Sequence, residues 1–336
     1  MFEALFYERE ADLKVRCHLC RFRCLIANGA RGVCAVRENR GGTLYSLVYG
    51  KLCAGHVDPI EKKPLFHLLP GSSTYSIATP GCNFNCLHCQ NYSISQVERN
   101  QPVRGSDIKP HDFVQSALYN NCRSISYTYT EPTIFYEYAS ATARLATESG
   151  LKNIFVTNGY ISKEALTAIA PFLSAANIDL KGFSEGFYRD IIHAKLSEVL
   201  DSIIEYRKLG IWLEITTLVI PGLNDSDAEL RGIADFIVTN LGVDTPWHVS
   251  AFYPTYKLTN RPRTPANTLK KAREIGIAAG LRYVYEGNVP GAGGENTCCP
   301  GCSAILIKRF GYTIQTNRII GGLCPDCGCL IAGIGL

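Results

Sequence analysis

The chain has 336 residues, 46% of them hydrophobic, enough to bury one large core with small appendages. Its formal net charge of +4 is too mild to argue for a nucleic-acid partner, though it does not exclude one. The opening MFEALFYERE has no basic run before an apolar stretch, unlike a secretory signal, and no run of about 18 uncharged apolar residues suggests a membrane span; the expected location is cytoplasmic.

Residues 1–73 read as an N-terminal cysteine-rich module. "CHLCRFRC" and "GARGVC" place Cys17, Cys20, Cys24 and Cys34 in the pattern C-x2-C-x3-C-x9-C. Strand-like stretches follow, and the Pro-Gly-Ser-Ser at 70–73 marks a boundary. Residues 74–290 alternate strand-like with helix-like segments. Strands are predicted at 74–79, 124–130, 153–157, 176–180, 211–220 and 247–252, and one more at 282–288. Six βα units in a row imply an α/β fold, a parallel sheet with right-handed crossovers, open or partly closed as a barrel. Such sheets bind ligands at the C-terminal ends of their strands. Residues 291–336 form a short cysteine-rich tail, too small for a hydrophobic core without a staple.

Fifteen cysteines in a long chain without a signal, clustered at two- and three-residue gaps, favour metal ligation over disulfides. "TPGCNFNCLHCQN" sets Cys82, Cys86 and Cys89 in C-x3-C-x2-C, just after the first predicted strand of the βα series. Structural zinc wants four protein ligands and a closed iron–sulfur cube wants one cysteine per corner. Either a fourth ligand lies elsewhere or one corner is open. A [4Fe–4S] cluster on these three thiolates leaves one iron free for the amino and carboxylate groups of S-adenosylmethionine. An electron from the reduced cluster could then cleave a carbon–sulfur bond and release a 5′-deoxyadenosyl radical. The competing reading is a zinc knuckle completed by His88 or a distant ligand.

The C-x3-C-x2-C loop in a βα series over about 74–285 resembles the radical S-adenosylmethionine enzymes. Gly29, Gly32, Gly81, "DPIEKKPLFHLLPG" (58–71) and "GCNFNCLHCQNYSISQ" (81–96) further resemble the radical enzyme family of the AmmeMemoRadiSam system, related to the pyruvate formate-lyase activating enzymes. The resemblance implies a six-unit (β/α) partial TIM barrel and cofactor contacts at matching positions. Glu131, where the activases carry Gly-Gly-Glu, would receive the methionine amino group; it could equally cap the next helix, with Pro132 at the first position. Thr157 and Asn158, in "VTNG" against the activases' Asp-Thr-Asn-Gly, would lie near the cofactor carboxylate, or form a turn. Asp179 and Lys181, in "NIDLK", would face a cation and the carboxylate, or pair with each other. His248 would stack on adenine, or be a buried, hydrogen-bonded histidine.

At the C-terminus, Cys299-Pro-Gly-Cys302 and Cys324-Pro-Asp-Cys327 match a zinc ribbon of two knuckles, with Cys298 and Cys329 as bystanders. The N-terminal four fit either zinc or an auxiliary [4Fe–4S] cluster. Their place before the radical loop leans towards zinc, because the activases that the chain resembles carry extra clusters after it. Cys53 and Cys122 read as ordinary buried thiols.

The expectation is a radical enzyme with a [4Fe–4S] cluster, S-adenosylmethionine and zinc, fed electrons by flavodoxin or ferredoxin. Its substrate would be the glycine loop of a partner enzyme, such as an AmmeMemoRadiSam partner protein, or a small molecule, peptide or RNA. A rival of another class is a non-catalytic zinc protein that binds partners through its two terminal modules. It leaves the position of Cys82, Cys86 and Cys89 unexplained.

Overall fold

The computed structural model describes every residue except Ala292. The chain divides into two compact units. The first comprises residues 1–58, 73–176 and 198–211; the second comprises 59–72, 177–197 and 212–336.

In the first unit the N-terminal residues form two small antiparallel sheets. Phe2–Glu3 and Arg37–Arg40 flank Thr43–Ser46, and Tyr7–Arg9 and Leu25–Ile26 flank Val15–Cys17. The main strands are β1 (Ala54–Pro59), β2 (Ser73–Ala78), β3 (Ser124–Tyr127), β4 (Lys152–Thr157) and β5 (Ala175–Asp179), adjacent in that order. β3 runs parallel to both neighbours, with Ser124 opposite Thr74 and Lys152. All four β3 residues are buried, as expected of a strand covered on both faces. Two of its three hydroxyls are paired within the sheet, Ser126 Oγ with Thr74 Oγ1 at 2.7 Å and Tyr127 Oη donating to Asn153 Oδ1 at 3.0 Å, while Ser124 Oγ is buried without a partner.

Helix α1 (Pro110–Tyr119) follows β2 and has proline at its first position, where a missing N–H costs nothing. Helix α2 (Tyr136–Glu148) buries Tyr136, Ala139, Ala143 and Ala146, one face at helical spacing. Ser162 Oγ accepts from Ala165 N at 3.2 Å and starts α3 (Lys163–Ile169).

One predicted strand ends early in the structure, and the stretch after β5 is not one continuous helix. The strand expected over 124–130 stops at Tyr127, and the next residues turn through Tyr129, which has φ +63°. The segment 184–209 is broken: a short turn at Glu185–Phe187, a wide turn at Tyr188–Ile192, His193 at φ +63°, and then helix α4 (Leu196–Lys208). The Glu185 carboxylate makes the break possible by accepting from Leu196 N and Ser197 N at 3.1 and 3.0 Å, the exposed donors of a new helix start.

The second unit takes up β5 from Asn177 onward and adds β6 (Trp212–Val219), β7 (Trp247–Ala251) and β8 (Val284–Gly287). β7 is parallel to β6 and β8, with Trp247 opposite Ile215 and Val284. Helices α5 (Asp227–Asn240) and α6 (Ala266–Ala278) follow β6 and β7. The tail forms an antiparallel sheet of Thr297–Cys298, Ile305–Phe310 and Thr313–Asn317. It acquires a core by packing Cys299, Leu306, Cys324 and Ile331 with Phe66, Tyr283 and Tyr285. Buried Arg309 lies 4.2 Å over the Phe66 ring and donates to Phe66 O at 3.0 Å and Thr297 Oγ1 at 2.7 Å. Among the described residues, no helix is long and apolar enough to cross a membrane.

Candidate functional site

β2 ends at Ala78, and the loop bearing Cys82, Cys86 and Cys89 follows directly. Gly81 makes the loop's approach possible. Its φ is +102°, and a Cβ there would meet Val36 Cγ1 at 2.7 Å and Cys34 O at 3.1 Å. Phe84 N donates to Cys82 Sγ at 3.4 Å, Cys89 N to Cys86 O at 3.2 Å, and Cys89 Sγ lies 3.1 Å from Ser95 Oγ.

Glu131, Thr157 and Asn158, on the segments that follow β3 and end β4, converge beside this loop. Glu131 is buried. Its Oε1 accepts from Thr133 N at 3.0 Å, Thr133 Oγ1 at 2.6 Å and Thr157 Oγ1 at 2.8 Å. Its Oε2 accepts from Asn158 N at 2.8 Å. Burial still holds its pKa above the usual carboxylate value, against the lowering by those donors. Glu131 therefore caps the turn Pro132–Phe135, as one of the two sequence readings had it. Asn158 ties the carboxylate to the cysteine loop: its Nδ2 donates to Asn83 Oδ1 at 2.8 Å and lies 3.9 Å from Cys82 Sγ.

Three residues of this region were not singled out from the sequence. Asn83, next to Cys82, has a buried Nδ2 with no hydrogen-bond partner in the structure. Tyr129 keeps the left-handed backbone that the activases' Gly-Gly-Glu pattern would suit, at a cost of roughly 1–2 kcal/mol for a side-chain-bearing residue. Its hydroxyl is held by Asp58, which also accepts from Ser76 Oγ at 2.7 Å, and its carbonyl accepts from Asn91 Nδ2 at 2.7 Å. A carboxylate in "HVDP" preceding the glycine turn was the available signal.

Asp179 and Lys181 lie in the second unit and pair with each other, Nζ to Oδ2 at 2.8 Å. His248, in the same unit, is buried, and its Nε2 lies 2.7 Å from Glu214 Oε2. Its ring stacks on Tyr285 at 5.2 Å and meets Phe66 edge-on at 4.8 Å. Glu214, a carboxylate in an otherwise apolar strand, was also missed. It accepts from Phe66 N at 3.0 Å, His67 N at 2.8 Å and Trp212 Nε1 at 3.3 Å. Burial pushes its pKa up, but the hydrogen bond and charge of His248 lead the contacts that outweigh burial and hold it down.

The two terminal cysteine groups differ in spacing. At the C-terminus, Cys299, Cys302, Cys324 and Cys327 have all sulfurs within 4.8 Å of one another, with Cys299–Cys327 at 3.5 Å and Cys302–Cys324 at 3.7 Å. A tetrahedral ion with metal–sulfur bonds of about 2.3 Å separates its thiolates by about 3.8 Å. The quartet therefore fits one tetrahedral metal ion. Gly301 N donates to Cys299 Sγ at 3.3 Å, and a side chain at Gly301 would press on Cys327 Sγ at 3.5 Å. Among the described residues no other group of three or more Cys, His, Asp or Glu is gathered so tightly. Cys82, Cys86 and Cys89 are not all within 4.8 Å of one another. The same holds of Cys17, Cys20, Cys24 and Cys34. Burial pushes the Cys20 thiol well up and Cys34 to about 11.

A three-cysteine loop directly after a parallel strand, on an α/β scaffold, fits an iron–sulfur site. The chain belongs to the radical SAM superfamily, whose model matches residues 76–237. It is 50% identical to the uncharacterized protein MJ0808 of Methanocaldococcus jannaschii over 98% of both chains. It is 25% identical to the provisionally named glycyl-radical enzyme activating enzyme MJ1632 of the same organism, over 61% of this chain and 78% of that one. A crystal structure of a domain of pyruvate-formate lyase-activating enzyme from Bacteroides vulgatus matches 49% of this chain and 99% of that one, at 15% identity and a TM-score of 0.43.

Proposed function

We propose that this enzyme reductively cleaves S-adenosylmethionine at a [4Fe–4S] cluster held by Cys82, Cys86 and Cys89, and removes a hydrogen atom from a substrate in a glycyl-radical-activase-like reaction. The observation that carries it is the Asn158 bridge, which joins the Glu131 carboxylate to the cysteine loop through Asn83. The bound cluster and cofactor would supply single-electron chemistry and the 5′-deoxyadenosyl radical. This chain's residues do the positioning. The three thiolates hold the cluster and leave one corner without a protein ligand. Glu131 receives the methionine ammonium, with Oε2 accepting only one bond from the chain. Thr157 fixes that carboxylate through Oε1, and the unpartnered Nδ2 of Asn83 is a donor available beside Cys82. The C-terminal quartet holds zinc, with a bracing role, since four thiolates leave no coordination site for substrate.

Electrons come from flavodoxin or ferredoxin, and the substrate is a protein, in keeping with the similarity to an activating enzyme. The motifs at 58–71 and 81–96 place the chain with the AmmeMemoRadiSam radical enzymes in this proposal. The test is anaerobic reconstitution followed by S-adenosylmethionine and dithionite. The expected product is 5′-deoxyadenosine, absent in Cys86→Ala. A reconstituted cluster that never yields it refutes the proposal. A partner carrying the target glycine would show a radical signal that collapses when that glycine is deuterated.

A further inference from the structure

The four N-terminal cysteines line one small cleft of about 20 Å³. Its walls are Cys17, Cys20, Cys24, Cys34, Gly32 and Arg37, and otherwise aliphatic side chains. Four thiols around one apolar cleft are a complete ligand set for a metal centre. What decides the centre is spacing. Thiolates of a single tetrahedral ion stand about 3.8 Å apart and leave no space between them. The C-terminal quartet of the same chain does so, at 3.5 and 3.7 Å. Among the described residues the N-terminal thiols are not gathered within 4.8 Å, and they line a small cleft instead. A cubane puts iron and sulfide between its thiolates and needs that spread.

Two further observations point into this cleft. Arg37 is buried, its side chain 2% exposed. Its Nη2 is used by Glu137 Oε1 at 2.8 Å and by Leu5 O, while Nε and Nη1 have no partner. Buried cationic donors left unpaired are costly, and sulfur atoms of an anionic cluster beside Arg37 would accept from them. Gly32 keeps the space beside Cys24: a Cβ there would lie 3.7 Å from Cys24 Sγ and 3.2 Å from Ile26 Cδ1. Arg23 and Ala35, each next to a ligand cysteine, hold left-handed backbone at φ +46° and +62°, strain of the kind that persists where a site imposes it.

We propose that Cys17, Cys20, Cys24 and Cys34 bind a second, fully ligated [4Fe–4S] cluster rather than zinc, with Arg37 donating to it. The site abuts the radical loop. Gly81 lies against Val36 and Cys34 O, where a Cβ would have no room, and Phe22, between Cys20 and Cys24, meets Phe84, between Cys82 and Cys86, edge-on at 6.5 Å. A cluster there stands one side-chain layer from the radical loop, a position suited to passing it single electrons.

The full chain, reconstituted anaerobically, tests this by metal and sulfide content together with Mössbauer spectroscopy. The wild type is expected to hold about eight irons in two cubane populations. The Cys82→Ala/Cys86→Ala/Cys89→Ala variant is expected to keep about four irons, with matching sulfide and an electron paramagnetic resonance signal that S-adenosylmethionine does not change. Adding Cys20→Ala and Cys34→Ala removes that iron. Because these variants can misfold, the wild type is read independently: one iron population of about four, with two zincs or bare N-terminal thiols, overturns the proposal. Iron that survives all five substitutions overturns the ligand set. Loss of 5′-deoxyadenosine formation with the second cluster intact would instead count only against the function proposed above.

Discussion

Replacing Glu131 separates a capping role from a cofactor role. In Glu131→Gln the amide oxygen can stay at the Oε1 position and keep the three bonds from Thr133 and Thr157. The amide nitrogen then faces Asn158 N, a donor against a donor, where the wild type has a bond of 2.8 Å. Leaving that buried N–H unpaired costs about 1–3 kcal/mol of stability. The lost negative charge acts separately. A charge-assisted bond to the cofactor ammonium contributes about 1.5–3 kcal/mol, so affinity should fall roughly 10- to 150-fold. Glu131→Ala removes all four acceptor contacts, strands two backbone donors, and should cost about 2–6 kcal/mol. The assays are urea unfolding and titration of the reduced cluster signal with S-adenosylmethionine. If Glu131→Gln loses stability but binds the cofactor with wild-type affinity, Glu131 is a cap alone.

Cys302→Ala should release the C-terminal metal and destabilise the chain by more than about 4 kcal/mol, while 5′-deoxyadenosine still forms at low temperature; metal analysis and a thermal melt check this. His67 is held neutral because burial lowers its pKa from 6.5 to about 4. The unfolded chain takes up that proton first, so stability should drop by up to about 3 kcal/mol between pH 6.5 and 4. Its ring resonances should not titrate above pH 5, and His67→Gln should flatten the pH dependence. Gly81→Ala should cost about 2–4 kcal/mol through the left-handed backbone and the 2.7 Å approach to Val36; adding Val36→Ala should recover only the steric share, measured by denaturant midpoint.

Local chemistry was legible in the sequence because its signals are short-range. Hydrophobic runs of strand length, broken by glycine, placed β2 to β8 to within a few residues. The C-terminal quartet was readable because its two two-residue gaps bring the thiols to one point. Helix α1 was overlooked, and the break at His193 was invisible, since it depends on Glu185 reaching Leu196 N and Ser197 N. Glu131 and Thr157 were identified, but not that they bond each other across β3 and β4.

By itself the amino-acid sequence determined the kind of chemistry: three thiolates on one loop at a strand end, two four-cysteine groups, and an alternating α/β core. Tertiary structure alone decided how far apart those thiolates stand, which is what separates an ion from a cluster. Sulfur–sulfur distance depends on how the turns carrying each cysteine pack, and so do the burial of Arg37 with two unpartnered nitrogens and the Asn158 bridge from Glu131 to the loop. Spacing along the chain fixes which ligands can meet, while packing across it fixes the room left between them.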